Sequence, residues 1–287
     1  MWINRKNGYL QDWITQVWVK LTGRRIDPER ESWLTGPIGD TRLISDKFIA
    51  DLAIRENLDI RINTPGSGLL SSFDELGFSP EERARVQPAV VDFYEQTLNY
   101  GFDIENKWNS FFRIFGWMLS ILFSKRLQQL NLPLRKKDTE GGIRSNIIKL
   151  CDKTSGAPRW TIWYRTLKSS GNVVFSGIYT TGRMPGIPEK VLKVIFPLPN
   201  GNATVFMQRG ILEDGSLQFS SAGKRFGNTG FYFTLTNHKG KFWSRYVPPM
   251  HEKLTVYVNE ENELRADHHF LFYKIVFLRL HYRIKKK

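Results

Sequence analysis

From Pro158 onward, apolar residues recur with a period of two, and strong turn sequences separate the segments. PRWTIWYRTL (158–167), NVVFSGIYT (172–180), VLKVIFPL (191–198), ATVFMQRGI (203–211), SLQFSS (216–221), GFYFTLT (230–236), KFWSRYV (241–247), KLTVYVN (253–259) and a long run from Leu264 to Ile284 read as nine strands. SSGN, PNGN, EDGS, NHKG and NEEN between them supply the Gly, Asn and Asp that tight reversals need. No connection leaves room for a helical crossover, so the strands are expected to be antiparallel. A set of this size removes its exposed edges by closing into a barrel or folding into a sandwich.

The first half has a different period. Leu10, Trp13, Ile14, Val17, Trp18 and Leu21 follow helical spacing and predict an amphipathic helix over 9–21. A second helix is expected over about 46–57. Ser79-Pro80-Glu81-Glu82 is a helix start, with Val90, Phe93, Tyr94 and Leu98 on one side of the stretch that follows. A fourth helix, about 109–130, is apolar almost all round, which suits enclosure by protein or a membrane interface. Asn131–Gly142 combines Pro, paired Gly and a charge run, as linkers do. A short helix over 144–150 is expected after it. The predicted class is therefore α+β, with a mainly helical cap over 1–140 and a β-barrel or sandwich over 141–287. Strand number and connectivity resemble a lipocalin-type barrel by pattern only; no sequence motif anchors a family.

Charge divides at the same place. The formal net charge is +14, of which residues 1–150 carry +2 and residues 151–287 carry +12. Polyanions and anionic membranes are therefore candidate partners. The N-terminus lacks the apolar core and cleavage site of a secretory signal, and no stretch reaches the ~20 apolar residues of a membrane span. One cysteine excludes a disulfide scaffold and any multi-cysteine metal centre. The expected location is cytoplasmic, peripheral to a membrane if the 109–130 segment lies in an interface.

Familiar chemical motifs are few. Gly223–Gly230 is glycine-rich and basic but lies between β-period segments, so it reads as a hairpin connection rather than a phosphate loop. Gly66-Ser67-Gly68 lacks the spacing of a serine nucleophile elbow. Cys151 has no neighbouring base in sequence and reads as structural. Asp267, His269 and His281 invite a metal reading, but their spacing matches no zinc pattern, and nothing calls for a cofactor. The more informative residues are charges inside strands. Arg165, Arg209 and Arg245 sit among apolar neighbours, and Arg279, His281 and Arg283 form a row on one face of the last run. That run looks apolar on both faces and hence central, with helix 109–130 as one cover.

Inward-facing Arg residues need an anionic partner, because an unpaired buried charge is costly. Arg165, Arg209, Arg245, Tyr257, Tyr273, Arg279 and His281 are therefore the candidate ligand-binding residues. The function they suggest is binding of a lipophilic, anionic small molecule in a barrel interior. The alternatives are a basic surface for anionic membrane or, less favoured, nucleic acid, and an enzyme on a small hydrophobic substrate in the same pocket. In the enzyme reading His269 or His281 is the base and Tyr257 or Tyr273 assists.

Overall fold

The computed structural model describes residues 10–39, 45–109 and 142–287. Its elements in chain order are helix α1 (Leu10–Thr22), β1 (Arg24–Ile26), α2 (Ser45–Glu56), β2 (Leu58–Ile62), α3 (Pro80–Arg85), α4 (Pro88–Glu95) and β3 (Tyr100–Trp108). The rest are strands: β4 (Ile143–Asp152), β5 (Pro158–Leu167), β6 (Val173–Met184), β7 (Ile187–Leu198), β8 (Gly201–Ile211), β9 (Leu217–Ser220), β10 (Gly230–Thr236), β11 (Phe242–Tyr246), β12 (Met250–Val258), β13 (Leu264–Phe272) and β14 (Ile275–Lys286). Antiparallel sheet dominates, as the period-two pattern predicts.

The sheet is not a closed nine-strand barrel. Its main path runs β2-β4-β5-β6-β7-β8-β9-β12-β13-β14-β3. β8 is long enough to hold two partners on one edge. Residues 201–206 pair with β10, and residues 208–211 pair with β9. The sheet forks there: β10, β11 and β1 leave as a branch while the main path continues through β9. The Gly223–Gly230 connection thus joins two strands lying end to end along β8, and is not a hairpin. At the far end β3 approaches β4 without a pairing ladder between them.

Three sequence expectations fail in instructive ways. The 144–150 segment is strand β4, not helix; it buries Ile147, Ile148, Leu150 and Cys151, so both of its faces are covered and no clean period appears. The first part of the chain is not only helical either, since β2 and β3 join the same sheet as β4 and β14. The 264–284 run is not one central strand. Tyr273 and Lys274, both at positive φ (47° and 70°), fold it into the β13–β14 hairpin, and β14 buries only Leu278, Leu280, Tyr282 and Ile284. The strands that are covered on both faces are β4 to β8.

Helices start where the sequence marks them. Ser79 accepts from the Glu82 amide while the Glu82 carboxylate accepts from the Ser79 amide, a complete capping box on α3. α2 buries Phe48, Ile49, Leu52 and Ala53 against Leu58, Ile148, Leu150, Ile162, Ile178 and Ile195. α1 is reversed from expectation: Asp12, Gln16 and Val19 are buried, while Ile14 and Leu21 are 62% and 66% exposed. The expected helix over 110–130 lies outside the described residues.

Lys193 on β7 fastens the 32–35 turn to the sheet, its Nζ donating to the Trp33 and Thr35 carbonyls at 2.8 and 2.6 Å. Burial lowers its pKa to about 8. Between that value and the ordinary lysine range the unfolded chain holds the extra proton, so stability rises with pH across the window. Unfolding free energies from urea titrations at pH 7.5, 8.5 and 9.5 should therefore climb for the wild type relative to Lys193→Met, by a total of about 2 kcal/mol. A difference that stays flat with pH would contradict this.

Candidate functional site: an apolar cavity with a buried arginine

The inner face of the curled sheet and helix α4 enclose a cavity of about 120 Å³, walled largely by Phe93, Phe102, Trp163, Phe175, Phe196 and Phe270. Besides tyrosines, three titratable side chains interrupt this lining: Arg165, Glu252 and His268.

Strand alternation explains Arg165. It shares a face of β5 with Trp163 and lies in register between Ser145 of β4 and Phe175 of β6. Only 4% of the residue is exposed. Its guanidinium stacks on Trp163 (4.1 Å to the ring centre) and Phe175 (4.4 Å), with the Tyr282 ring 5.9 Å away. Among the described residues it has no ion pair, and its Nε and Nη1 have no hydrogen-bond partner. Cation–π stacking offsets part of the desolvation but leaves those donors unmet.

Glu252 and His268 form the second polar feature. Glu252 shares a face of β12 with Leu254 and Val256, and His268 shares one of β13 with Ala266 and Phe270. Leu254 and His268 are direct cross-strand partners, which places Glu252 diagonal to His268. His268 Nε2 lies 2.9 Å from Glu252 Oε2, and the imidazole stacks on Phe270. The Glu252 backbone is fixed by its amide donating to Ser221 Oγ at 2.7 Å. Tyr94, Tyr179 and Tyr282 complete the polar lining. Burial raises all three hydroxyl pKa values; the field of Arg165 acts the other way on Tyr179 and Tyr282, and Tyr282 also hydrogen-bonds Arg165. At neutral pH all three are protonated.

No family model matches the chain. No solved structure matches it. Over 249 residues, 85% of this chain, it is 28% identical to a protein of Bacillus subtilis (strain 168) named "Uncharacterized membrane protein YndJ". The chain spans 41% of that protein's length. Among the described residues no helix is long and apolar enough to cross a membrane.

The other candidate residues lie elsewhere. Arg209 is held by the segment around α3: its Nη2 donates to the Gly77 carbonyl (2.7 Å), its Nη1 lies 3.5 Å from Glu82, and it stacks on Phe78. Arg245 donates to the Thr22 carbonyl at the end of α1 (2.7 Å). Tyr273 is 70% exposed at a hairpin tip. Tyr257, Arg279 and His281 lie on the outer face, where the Tyr257 hydroxyl donates to Asp267 Oδ2 (2.9 Å) and His281 Nδ1 is 2.7 Å from Asp267 Oδ1. His269 shares that face, so neither histidine of the enzyme reading reaches the cavity. Among the described residues no three His, Cys, Asp or Glu side chains converge as a metal site. His268 was missed because the 264–284 run was read from the face of Arg279 and His281, and Glu252 because it falls just before the strand expected at 253–259. Their signal is the i, i+2 alternation with apolar neighbours.

The Gly223–Gly230 loop has few amides to offer an anion. The amides of Lys224 and Arg225 donate to Asn228 Oδ1, and that of Gly227 to Tyr232 Oη.

Replacing a buried, unpaired cation by an apolar side chain of similar length is neutral or stabilising. Arg165→Met should therefore leave the ligand-free protein as stable or up to ~2 kcal/mol more stable in urea titrations. Arg165→Ala, which also empties the stack, should fall ~2–4 kcal/mol below Arg165→Met. A marked loss in Arg165→Met would show that the guanidinium already has a partner.

Proposed function

We propose that the chain binds a lipophilic, anionic small molecule in this cavity, with Arg165 holding the head group and the aromatic wall holding the tail. The observation that carries the reading is the pair of bare Arg165 donors, Nε and Nη1, inside an apolar enclosure. A carboxylate or phosphate oxygen would satisfy either donor with a charge-assisted hydrogen bond. At roughly 10–15 Å³ per water, a cavity of this size holds about ten waters, which suits a ligand of about ten non-hydrogen atoms. The Bacillus subtilis relative is named a membrane protein, which supports a lipid-derived source for such an amphiphile. We place the protein in the cytoplasm, peripheral to a membrane.

Octanoate and 1-octanol, similar in size and different in charge, test this by calorimetry and native mass spectrometry. Octanoate should bind, octanol should bind at least tenfold more weakly, and Arg165→Met should weaken octanoate ~30-fold or more. Equal binding of the two probes, or an indifferent Arg165→Met variant, would refute the reading.

A second reading, an enzyme in the same cavity, rests on the 2.9 Å Glu252–His268 contact. In it His268 is the base and Glu252 orients the ring. An ester of octanoate would then be hydrolysed by the wild type and not by His268→Asn, with octanoate binding kept in both.

A further inference from the structure

We propose that the outer face of β12, β13, β14 and β3, at the end marked by the Tyr273–Lys274 turn, docks on the surface of an anionic lipid bilayer. The inference stands independently of what the cavity holds.

Cross-strand register sorts charge along this face. Lys253, His269, Arg279 and Lys107 are consecutive Cα partners across the four strands. Their chain neighbours point the other way: Glu252, Leu254, His268 and Phe270 line the cavity, while Leu278 and Leu280 are buried. The four side chains thus form one outward row, with strands roughly 4.8 Å apart. Among the described residues none of the four has an ion-pair partner. The next row away from the turn is Thr255, Asp267, His281 and Glu105, and the one beyond it is Tyr257, Arg265, Arg283 and Asp103. Carboxylates enter only in these outer rows, where Asp267 pairs with His281 and Glu105 with Arg283.

Apolar surface lies on the turn side of the basic row. Tyr273 and Ile275 are 70% and 52% exposed, with Lys274 between them. The Tyr273 amide donates to the Pro249 carbonyl (2.9 Å), which continues the β12–β13 ladder up to the turn. At this end of the face the Asn109 amide donates to the Phe277 carbonyl (3.0 Å), extending the β3–β14 pairing. A cationic row backed by an aromatic and an aliphatic tip is what a bilayer surface asks for. Phosphate and carboxylate head groups meet the charges, and the apolar tip enters the interface. Duplex nucleic acid offers the same charge but gives exposed Ile275 nothing apolar to enter.

Flotation of the whole chain with vesicles of pure phosphatidylcholine, and with vesicles containing one third phosphatidylglycerol, tests this. The protein should float with the anionic vesicles, lose that binding in high salt, and ignore the zwitterionic ones. Lys107→Gln, Lys253→Gln and Arg279→Gln together should lower partition about a hundredfold. Lys168→Gln, Lys224→Gln and Lys239→Gln, exposed cations on other loops, should together lower it less than the row does. Tyr273→Ser with Ile275→Ser should weaken binding severalfold at moderate salt. All these positions are on the surface, and a matched thermal melt confirms that each variant is folded. No flotation, equal effects of the two triple variants, or tighter binding to duplex DNA than to anionic vesicles at the same salt would overturn the proposal.

Discussion

The architecture turns on β8. Its eleven residues hold β7 along one edge and, end to end, β10 and β9 along the other. That arrangement sends one branch off to carry α1 and lets the main sheet curl back until β3 lies near β4. The curl is what brings the inner faces of β5–β8 and β12–β14 opposite each other with space between them. A single partner on that edge of β8 would leave no fork, and the sheet would have closed or stayed open in another way.

Inside the curl, alternation does the rest. Each strand has apolar inward positions, so the cost of an inward polar group is set by what its neighbours can do for it. Trp163 and Phe175 give Arg165 two ring faces, which offset desolvation in part without consuming its donors. Glu252 and His268 consume each other. The cavity thus contains one satisfied polar pair and one cation that keeps two bare donors, Nε and Nη1. The outer face of the same strands follows a different rule, since water can satisfy any side chain there, and charge order rather than burial carries the information.

Much of the strand pattern was legible. PRWTIWYRTL and GFYFTLT match β5 and β10 at both ends because turn residues bound them and one face is plainly apolar. β3 could have been read, since Tyr100, Phe102 and Ile104 alternate with Asp103, Glu105 and Lys107. It fell in the gap between the stretch ending at Leu98 and the helix expected from about residue 109. β4 was not readable by period because α2 covers its second face. The hairpin inside 264–284 was obscured by a turn made of Tyr and Lys, residues that rarely take positive φ. Of the strand arginines Arg165, Arg209 and Arg245, Arg165 is the one that lines the cavity. Arg209 and Arg245 look the same in sequence, but the 77–82 segment and the end of α1 come to meet them, and no local pattern encodes that. The face of a strand that looks inward is fixed by register, so His269 was weighed where its neighbour His268 belongs.

The pairing of β3 with β14 also sets a timetable. The Lys287 amide donates to the Asn99 carbonyl, and Lys286 reaches Asp92. Strand β3 leaves the ribosome long before its partner exists. Until β14 arrives, Phe102 and Ile104 have no neighbouring strand on that edge, and the cavity lacks one wall. Contacts so distant in sequence are slow to form. The last hairpin is therefore the step that converts a partly exposed sheet into an enclosed one, and a nascent chain stalled before it would present its ligand-sized hollow as bare apolar surface.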